Sequence, residues 1–88
     1  MAERHDYHHI SSAVVTVLPG WATSVMAAIA NMDGTEIPAH QDHRIVVILE
    51  GAGARELGDR LTNIAALDGV VSANLVFEHI EKEEVVET

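Results

Sequence analysis

The sequence predicts an α+β domain in which an antiparallel four-stranded sheet carries two helices on one face. Patterns typical of strands and helices follow one another along the 88 residues in the order β-α-β-β-α-β. In addition, the segment at 29–34 (IANMDG) recurs at 64–69 (IAALDG), and each copy ends a predicted helix and leads into a strand. Two β-α-β halves related in this way are typical of the ferredoxin-like split β-α-β fold.

The first half contains three predicted elements, which are a strand at 9–17, a helix starting near Trp21, and a short strand at 35–39. The first strand is rich in β-branched residues, and Pro19 marks the turn after it. Gly34 ends the helix, because glycine accepts the left-handed backbone conformation. Pro38 has no N–H to donate, so the second strand is expected at an edge of the sheet.

The second half has the same order, with a strand at 44–50, a helix marked by Leu57, Leu61, Ile64 and Ala65, and a strand at 70–77. The run from Ile45 to Leu49 is entirely aliphatic, which favours a buried strand. The i,i+4 pair of Glu56 and Arg60 supports the helix. Gly69 ends it as Gly34 ends the first helix.

Composition and charge limit the possible partners. Five basic and 14 acidic residues give a net charge of −9. Nucleic acids and anionic membranes bind clusters of Lys and Arg, so neither is an expected partner. No run approaches 18 apolar residues, and the first six residues lack the basic-then-apolar order of a secretion signal. We therefore expect no membrane insertion and a cytoplasmic location.

The domain organisation follows from length and from the distribution of charge. Eighty-eight residues are enough for one domain. We expect it at 9–81, between a flexible N-terminal segment at 1–8 and an acidic, disordered tail at 82–88. The absence of cysteine excludes disulfides and cysteine-based zinc sites.

Strand alternation predicts which sheet face the helices leave uncovered. The inward set comprises Ala13, Val15, Val17, Ile45, Val47, Leu49, Ala73, Leu75 and Phe77. The opposite side, here called the open face, comprises Ser12, Val14, Thr16, Arg44, Val46, Ile48, Glu50, Asn74, Val76 and Glu78. Its aliphatic members predict an exposed apolar patch, which is typical of a binding surface. Burial of the same face in a weak homodimer is the alternative.

No residue pattern indicates catalysis, a cofactor or a metal. The six histidines fall at termini and turns, and neither cysteine nor an ordered set of carboxylates accompanies them. Ser11 and Ser12 lie in a strand without a nucleophile-elbow pattern. The glycines at 51 and 53 lack the rest of a phosphate-binding fingerprint. We expect a binding protein that is not an enzyme, with no metal and no cofactor.

Four segments of the chain form a recognisable set. They are His9-Ile10-Ser11-Ser12-x-Val14-Val15 with Pro19, Gly34-x-Glu36-Ile37, Ile45-Val46-Val47-x-Leu49-Glu50, and Leu67-x-Gly69-Val70-Val71-Ser72-Ala73-x-Leu75-Val76-Phe77. Together they resemble the NapD family, the small chaperones of periplasmic nitrate reductase. The resemblance runs from about His9 to Glu81. The chain departs from the family pattern at Pro38, His43-Arg44 and Phe77-Glu78.

The resemblance implies a ferredoxin-like fold and a cytoplasmic, non-catalytic role. Members of the family bind the twin-arginine signal peptide of the nitrate reductase catalytic subunit. Binding delays export by the Tat translocon until the enzyme has received its cofactor and folded. An open sheet with an aliphatic centre and acidic ends suits a cationic, amphipathic segment of this kind. Glu50 and Glu78 are expected at the same end of the sheet, where they would bracket the basic part of the peptide.

Two other classes of domain share the predicted order of strands and helices. One is a small-molecule-binding regulatory or dimerisation module of ACT/RAM-like type, although such modules are normally attached to a DNA-binding or enzyme domain. The other is a metal-handling ferredoxin-like domain. The segment 18–21 lacks the Cys-x-x-Cys motif that such a domain carries in this loop.

Overall fold

The fold is a four-stranded antiparallel sheet with two helices, as predicted. A computed structural model describes the backbone of residues 6–83 and the side chains of residues 9–76. The elements are β1 (Asp6–Val17), α1 (Ala22–Ala30), β2 (Thr35–Gln41), β3 (Arg44–Gly51), α2 (Ala54–Ala65) and β4 (Val70–Glu83). The strand order β2-β3-β1-β4, with antiparallel neighbours throughout, is that of the ferredoxin-like fold.

Strands β1 and β4 are longer than the sequence patterns predicted. β1 begins at Asp6 instead of residue 9, and β4 continues to Glu83 instead of ending at Phe77. The two strands keep pairing after β3 has ended opposite His9, and this backbone pairing supports the extra residues. The remaining parts of the two predicted terminal segments, 1–5 and 84–88, lie outside the described residues.

The core lies between the helices and the two central strands. Its buried apolar residues are Ala13, Val15 and Val17 of β1, Val25 and Ile29 of α1, Ile45, Val47 and Leu49 of β3, and Leu57 and Ile64 of α2. This confirms the inward set predicted for β1 and β3. Ala73 packs against the core as predicted. Leu75 was also predicted to be buried, but it is 45 % exposed, because β4 is an edge strand with no further strand beside it.

Register shifts interrupt both edge strands. In β4, Leu75 pairs with Ala13 but Phe77 pairs with Ser12, so Val76 is an additional residue between the two pairs. In β2, the shift lies between Glu36 and Ala39 and includes Pro38, in agreement with the predicted edge position. Because side chains alternate along a strand, a shift of one residue exchanges the face expected for every residue that follows it.

The repeated Asp-Gly turns have the backbone conformation that the sequence predicted. Gly34 has φ +74° and Gly69 has φ +91°. Gly69 also lies against the ring of Trp21, and its carbonyl accepts a hydrogen bond of 2.8 Å from the backbone N–H of Leu18. A Cβ atom at Gly34 would meet the backbone carbonyl of Glu50. At both positions a side chain would be strained by conformation and by lack of space.

Candidate binding face

The described helices cover one side of the sheet and leave the open face uncovered. Across the two central strands, the register pairs open-face residues directly, Ser12 with Ile48, Val14 with Val46, and Thr16 with Arg44. All of these except Arg44 are half-buried, and Arg44 is exposed. The predicted open-face residues of β1 and β3 therefore lie side by side.

The centre of the open face is apolar. Val14 and Val46 are cross-strand neighbours, and Ile48 follows two residues along β3 on the same side. Ala39 of β2 pairs with Val46 and extends this apolar surface to the edge strand. On the β4 side, Val14 pairs with Asn74. Aliphatic side chains therefore form a band over the middle of three strands, with a polar residue beside it on β4.

Val76 lies on β4 between the residues that pair with Ala13 and Ser12. It was predicted as part of the apolar patch, and it is 60 % exposed at the register shift described above. A residue at such a shift is not paired directly with a residue of the neighbouring strand. The chain therefore leaves an aliphatic side chain accessible here without a fixed cross-strand partner on β1.

One end of the open face carries carboxylates. Glu50 pairs with Ile10, and Glu36 of β2, an exposed residue that sequence analysis did not assign to this face, pairs with Ile48. Sequence analysis missed Glu36 because β2 is short and contains a proline, so its alternation is not readable. Glu78 pairs with Ser11, next to the position opposite Glu50. The two predicted carboxylates therefore occupy the same end of the sheet along β1.

The face assigned to Glu78 remains a prediction. Its side chain lies outside the described part of the chain, and Ser11, its partner in the register, is a buried residue. The unbroken alternation that placed Glu78 on the open face is interrupted at Val76. Glu78 also lies within β4, five residues before its last residue at Glu83, and not just beyond the end of the strand, as the predicted range 70–77 implied.

Helix α2 supports the carboxylate end from the opposite side. The Nη1 atom of Arg60 donates a 2.9 Å hydrogen bond to the backbone carbonyl of Glu50, and Nη2 lies 3.3 Å from the Glu56 carboxylate. The other carboxylate oxygen of Glu56 accepts a 2.9 Å hydrogen bond from the N–H of Ala52. The N–H of Glu50 donates to the carbonyl of Gly34 at 2.8 Å. These contacts fix the backbone from which the Glu50 side chain projects.

The other end of the open face holds a cleft of about 570 Å³ beside the β2–β3 hairpin. Its lining residues are Val14, Ala39, His40, Gln41, Asp42, His43, Arg44 and Val46. The hairpin turns at Asp42, which has φ +53°, and the carbonyl of His43 accepts a 2.9 Å hydrogen bond from the N–H of Val17. Residues 40–43 (HQDH) are polar in the sequence, but only the folded hairpin makes them the rim of a cleft with an aliphatic floor.

The described histidines do not assemble a metal site. Within residues 9–76, no group of three or more His, Cys, Asp or Glu side chains is arranged to hold an ion. His40 and His43 lie in the hairpin, whereas His9 pairs with Gly51 at the other end of β3. His5 lies outside the described residues, as do the side chains of His8 and His79.

We expect zinc to stabilise the folded protein very little. A ligand that binds only the native state raises its stability according to its concentration and affinity, so a strong site would raise the melting temperature. Thermal unfolding with and without micromolar zinc, followed by circular dichroism, measures this. A shift of several degrees, reversed by a chelator, would contradict the prediction and indicate a site that includes the terminal histidines.

The fold and the open face together indicate the class of this protein. It is a small split β-α-β domain, and its sheet has one face covered by helices and one open face with an apolar centre. The family model described as "NapD protein" matches residues 8–82. This chain therefore belongs to the NapD family. Among its described residues, no helix has both the length and the apolar character required to cross a membrane.

One curated relative and one solved structure are similar to this chain. "Chaperone NapD" of Paracoccus pantotrophus is 46 % identical over 72 residues, which are 82 % of this chain and 64 % of the relative. The chain thus aligns with slightly less than two thirds of that protein. The solution structure of the E. coli Tat proofreading chaperone protein NapD matches with a TM-score of 0.78 and 20 % identity. That match covers 97 % of this chain and 90 % of the other, and it supports the shared fold.

Proposed function

We propose that this protein is a chaperone in the maturation of periplasmic nitrate reductase. It acts in the cytoplasm and binds the twin-arginine signal peptide of the catalytic subunit, and this delays Tat export until the cofactor is inserted and the enzyme is folded. It acts by binding and not by catalysis. The observation that carries the proposal is the open face, whose apolar centre at Val14, Val46 and Ile48 adjoins carboxylates at one end.

The chemistry of this face suits such a peptide. A bacterial signal peptide has a positively charged region followed by an apolar stretch of about 7–15 residues. The aliphatic band can bury the apolar stretch, and carboxylates form charge-assisted, two-point hydrogen bonds with arginine. The net charge of −9 attracts a cationic peptide at long range and raises the association rate. The family membership and the name of the Paracoccus relative support the same conclusion.

We expect Glu50→Gln combined with Glu78→Gln to weaken binding of a twin-arginine peptide by about 1–3 kcal/mol, the range for hydrogen bonds to charged groups. A peptide with Lys-Lys in place of Arg-Arg should lose less, because lysine lacks the planar fork that pairs with a carboxylate at two points. Isothermal titration calorimetry at low salt measures both affinities.

Asp59→Asn is the matched control, because Asp59 is an exposed carboxylate on α2, in the layer opposite the open face. It should leave both affinities unchanged. Equal affinity of the wild type and the double variant for the twin-arginine peptide would rule out the carboxylate contacts. A peptide that causes no amide shifts on β1 and β3 in an NMR titration would contradict the proposed function itself and leave the regulatory-module alternative.

A further inference from the structure

We propose that the signal peptide binds in one orientation, with its arginine pair at the carboxylate end of the open face and its apolar stretch running along β3 into the hairpin cleft. This inference rests on the proposed function and adds the polarity of the bound peptide. It follows from a difference between the two ends of the open face, since one end carries carboxylates and the other carries Arg44 and an apolar cleft. This difference appears only when the strands are paired in the sheet.

The carboxylate end attracts the arginines. Glu36 and Glu50 come from neighbouring strands, because Glu36 pairs with Ile48 and Glu50 lies two residues further along β3 on the same face. Arg60, a cation on the helix behind this end, binds the Glu56 carboxylate and the backbone carbonyl of Glu50. A basic segment placed here meets negative charge from two strands.

The hairpin end disfavours the arginines. Arg44 is exposed on the rim of the cleft, and Asp42 is the carboxylate beside it, so these two opposite charges give the rim no excess of negative charge. An arginine pair placed here would be repelled by Arg44, and such like-charge contacts are a common means of excluding a wrong arrangement. The cleft floor at Val14, Ala39 and Val46 is aliphatic and suits the apolar stretch.

The distance between the ends matches the peptide. Arg44 and Glu50 are six residues apart on β3, about 20 Å at the usual strand rise of ~3.3 Å. A helix of about 13 residues has the same length at ~1.5 Å per residue. If the peptide is helical, the proposed orientation also places its positive N-terminal end at Glu36 and Glu50 and its negative C-terminal end at Arg44, which is the favourable arrangement of the helix dipole.

Paramagnetic relaxation measured by NMR tests the orientation. The chain has no cysteine, so a nitroxide linked to a single cysteine of a synthetic peptide cannot transfer to the protein. One peptide carries the label just before the arginine pair, and the other carries it after the apolar stretch. We expect the first label to broaden the amide signals of residues 36 and 50, and the second to broaden those of residues 41–44.

Each alternative result has a distinct meaning. The reverse pattern, or equal broadening of both ends by both labels, would overturn the orientation while leaving the open face as the binding site. Unlabelled peptide in excess that shifts no open-face amide would overturn the proposed function, and the orientation with it.

A charge reversal provides the second test. Arg44→Glu makes the hairpin end acidic, so the first label is expected to broaden both ends of the sheet. Arg55→Glu is the matched control, since Arg55 is exposed on α2 and the net charge changes by the same amount. It should keep the original pattern. If Arg44→Glu leaves the pattern of signal broadening unchanged, Arg44 does not set the orientation of the peptide.

Discussion

Replacement of Val46 by glutamate is expected to lower affinity for a twin-arginine peptide by roughly 100-fold or more while the domain stays folded. Val46 lies at the centre of the open face, between Val14 and Ala39 in the register, and it is half-buried. In the free protein the carboxylate can reach water. Under a bound apolar segment it would be an unpaired, buried charge, which costs about 3–5 kcal/mol, and each 1.4 kcal/mol is tenfold in affinity.

Two controls separate binding from folding. Ala27→Glu adds the same charge at an exposed position of α1, outside the open face, and should leave affinity unchanged. Val47→Glu places the charge at a fully buried position one residue along β3 and should unfold the domain. Circular dichroism and peptide titration distinguish the three variants. Unchanged peptide affinity of the Val46 variant, or its unfolding, would show that the peptide site or the face of β3 is wrongly assigned.

The Gly69→Ala variant is expected to lower the free energy of unfolding by about 2–4 kcal/mol. A residue other than glycine at φ +91° costs about 1–2 kcal/mol, and moving a partly exposed neighbouring ring costs about 1–2 kcal/mol more, the lower part of the range for overpacking. The ring in question is Trp21, which a Cβ atom at Gly69 would meet directly. Trp21 is the single tryptophan of the chain, so its fluorescence during urea denaturation measures the decrease in the free energy of unfolding.

Gly58→Ala is the matched control and should act in the opposite direction. Gly58 lies within α2, and nothing lies within 4 Å of where its Cβ atom would be, so alanine should stabilise the helix by about 0.5–1 kcal/mol. In the Trp21→Ala background, where circular dichroism replaces tryptophan fluorescence as the signal, Gly69→Ala should cost less, because only the backbone strain remains. An unchanged urea midpoint for Gly69→Ala in the wild-type background would show that neither the positive φ nor the contact with Trp21 requires glycine at this turn.

Local patterns in the sequence predicted the architecture because each of them reports a local physical requirement. The repeated Asp-Gly turns need glycine at positive φ, and Gly34 and Gly69 have it. The alternation in β1 and β3 predicted the buried set, since both strands are central and an error of one residue would have placed polar groups in the core. Pro38 predicted an edge strand because it lacks a donor, and β2 is an edge strand.

The sequence by itself therefore determined the order of elements, the core of the central strands, the family resemblance and the aliphatic character of the open face. Only the tertiary structure decided what happens at the edges. The register shift at Val76, the exposure of Leu75 and the pairing of Glu78 with Ser11 depend on how β4 meets β1. The Glu36 position and the hairpin cleft depend on how β2 folds back on β3. Edge strands have one partner and an uncovered border, so their local sequence tolerates several registers, and long-range pairing selects among them.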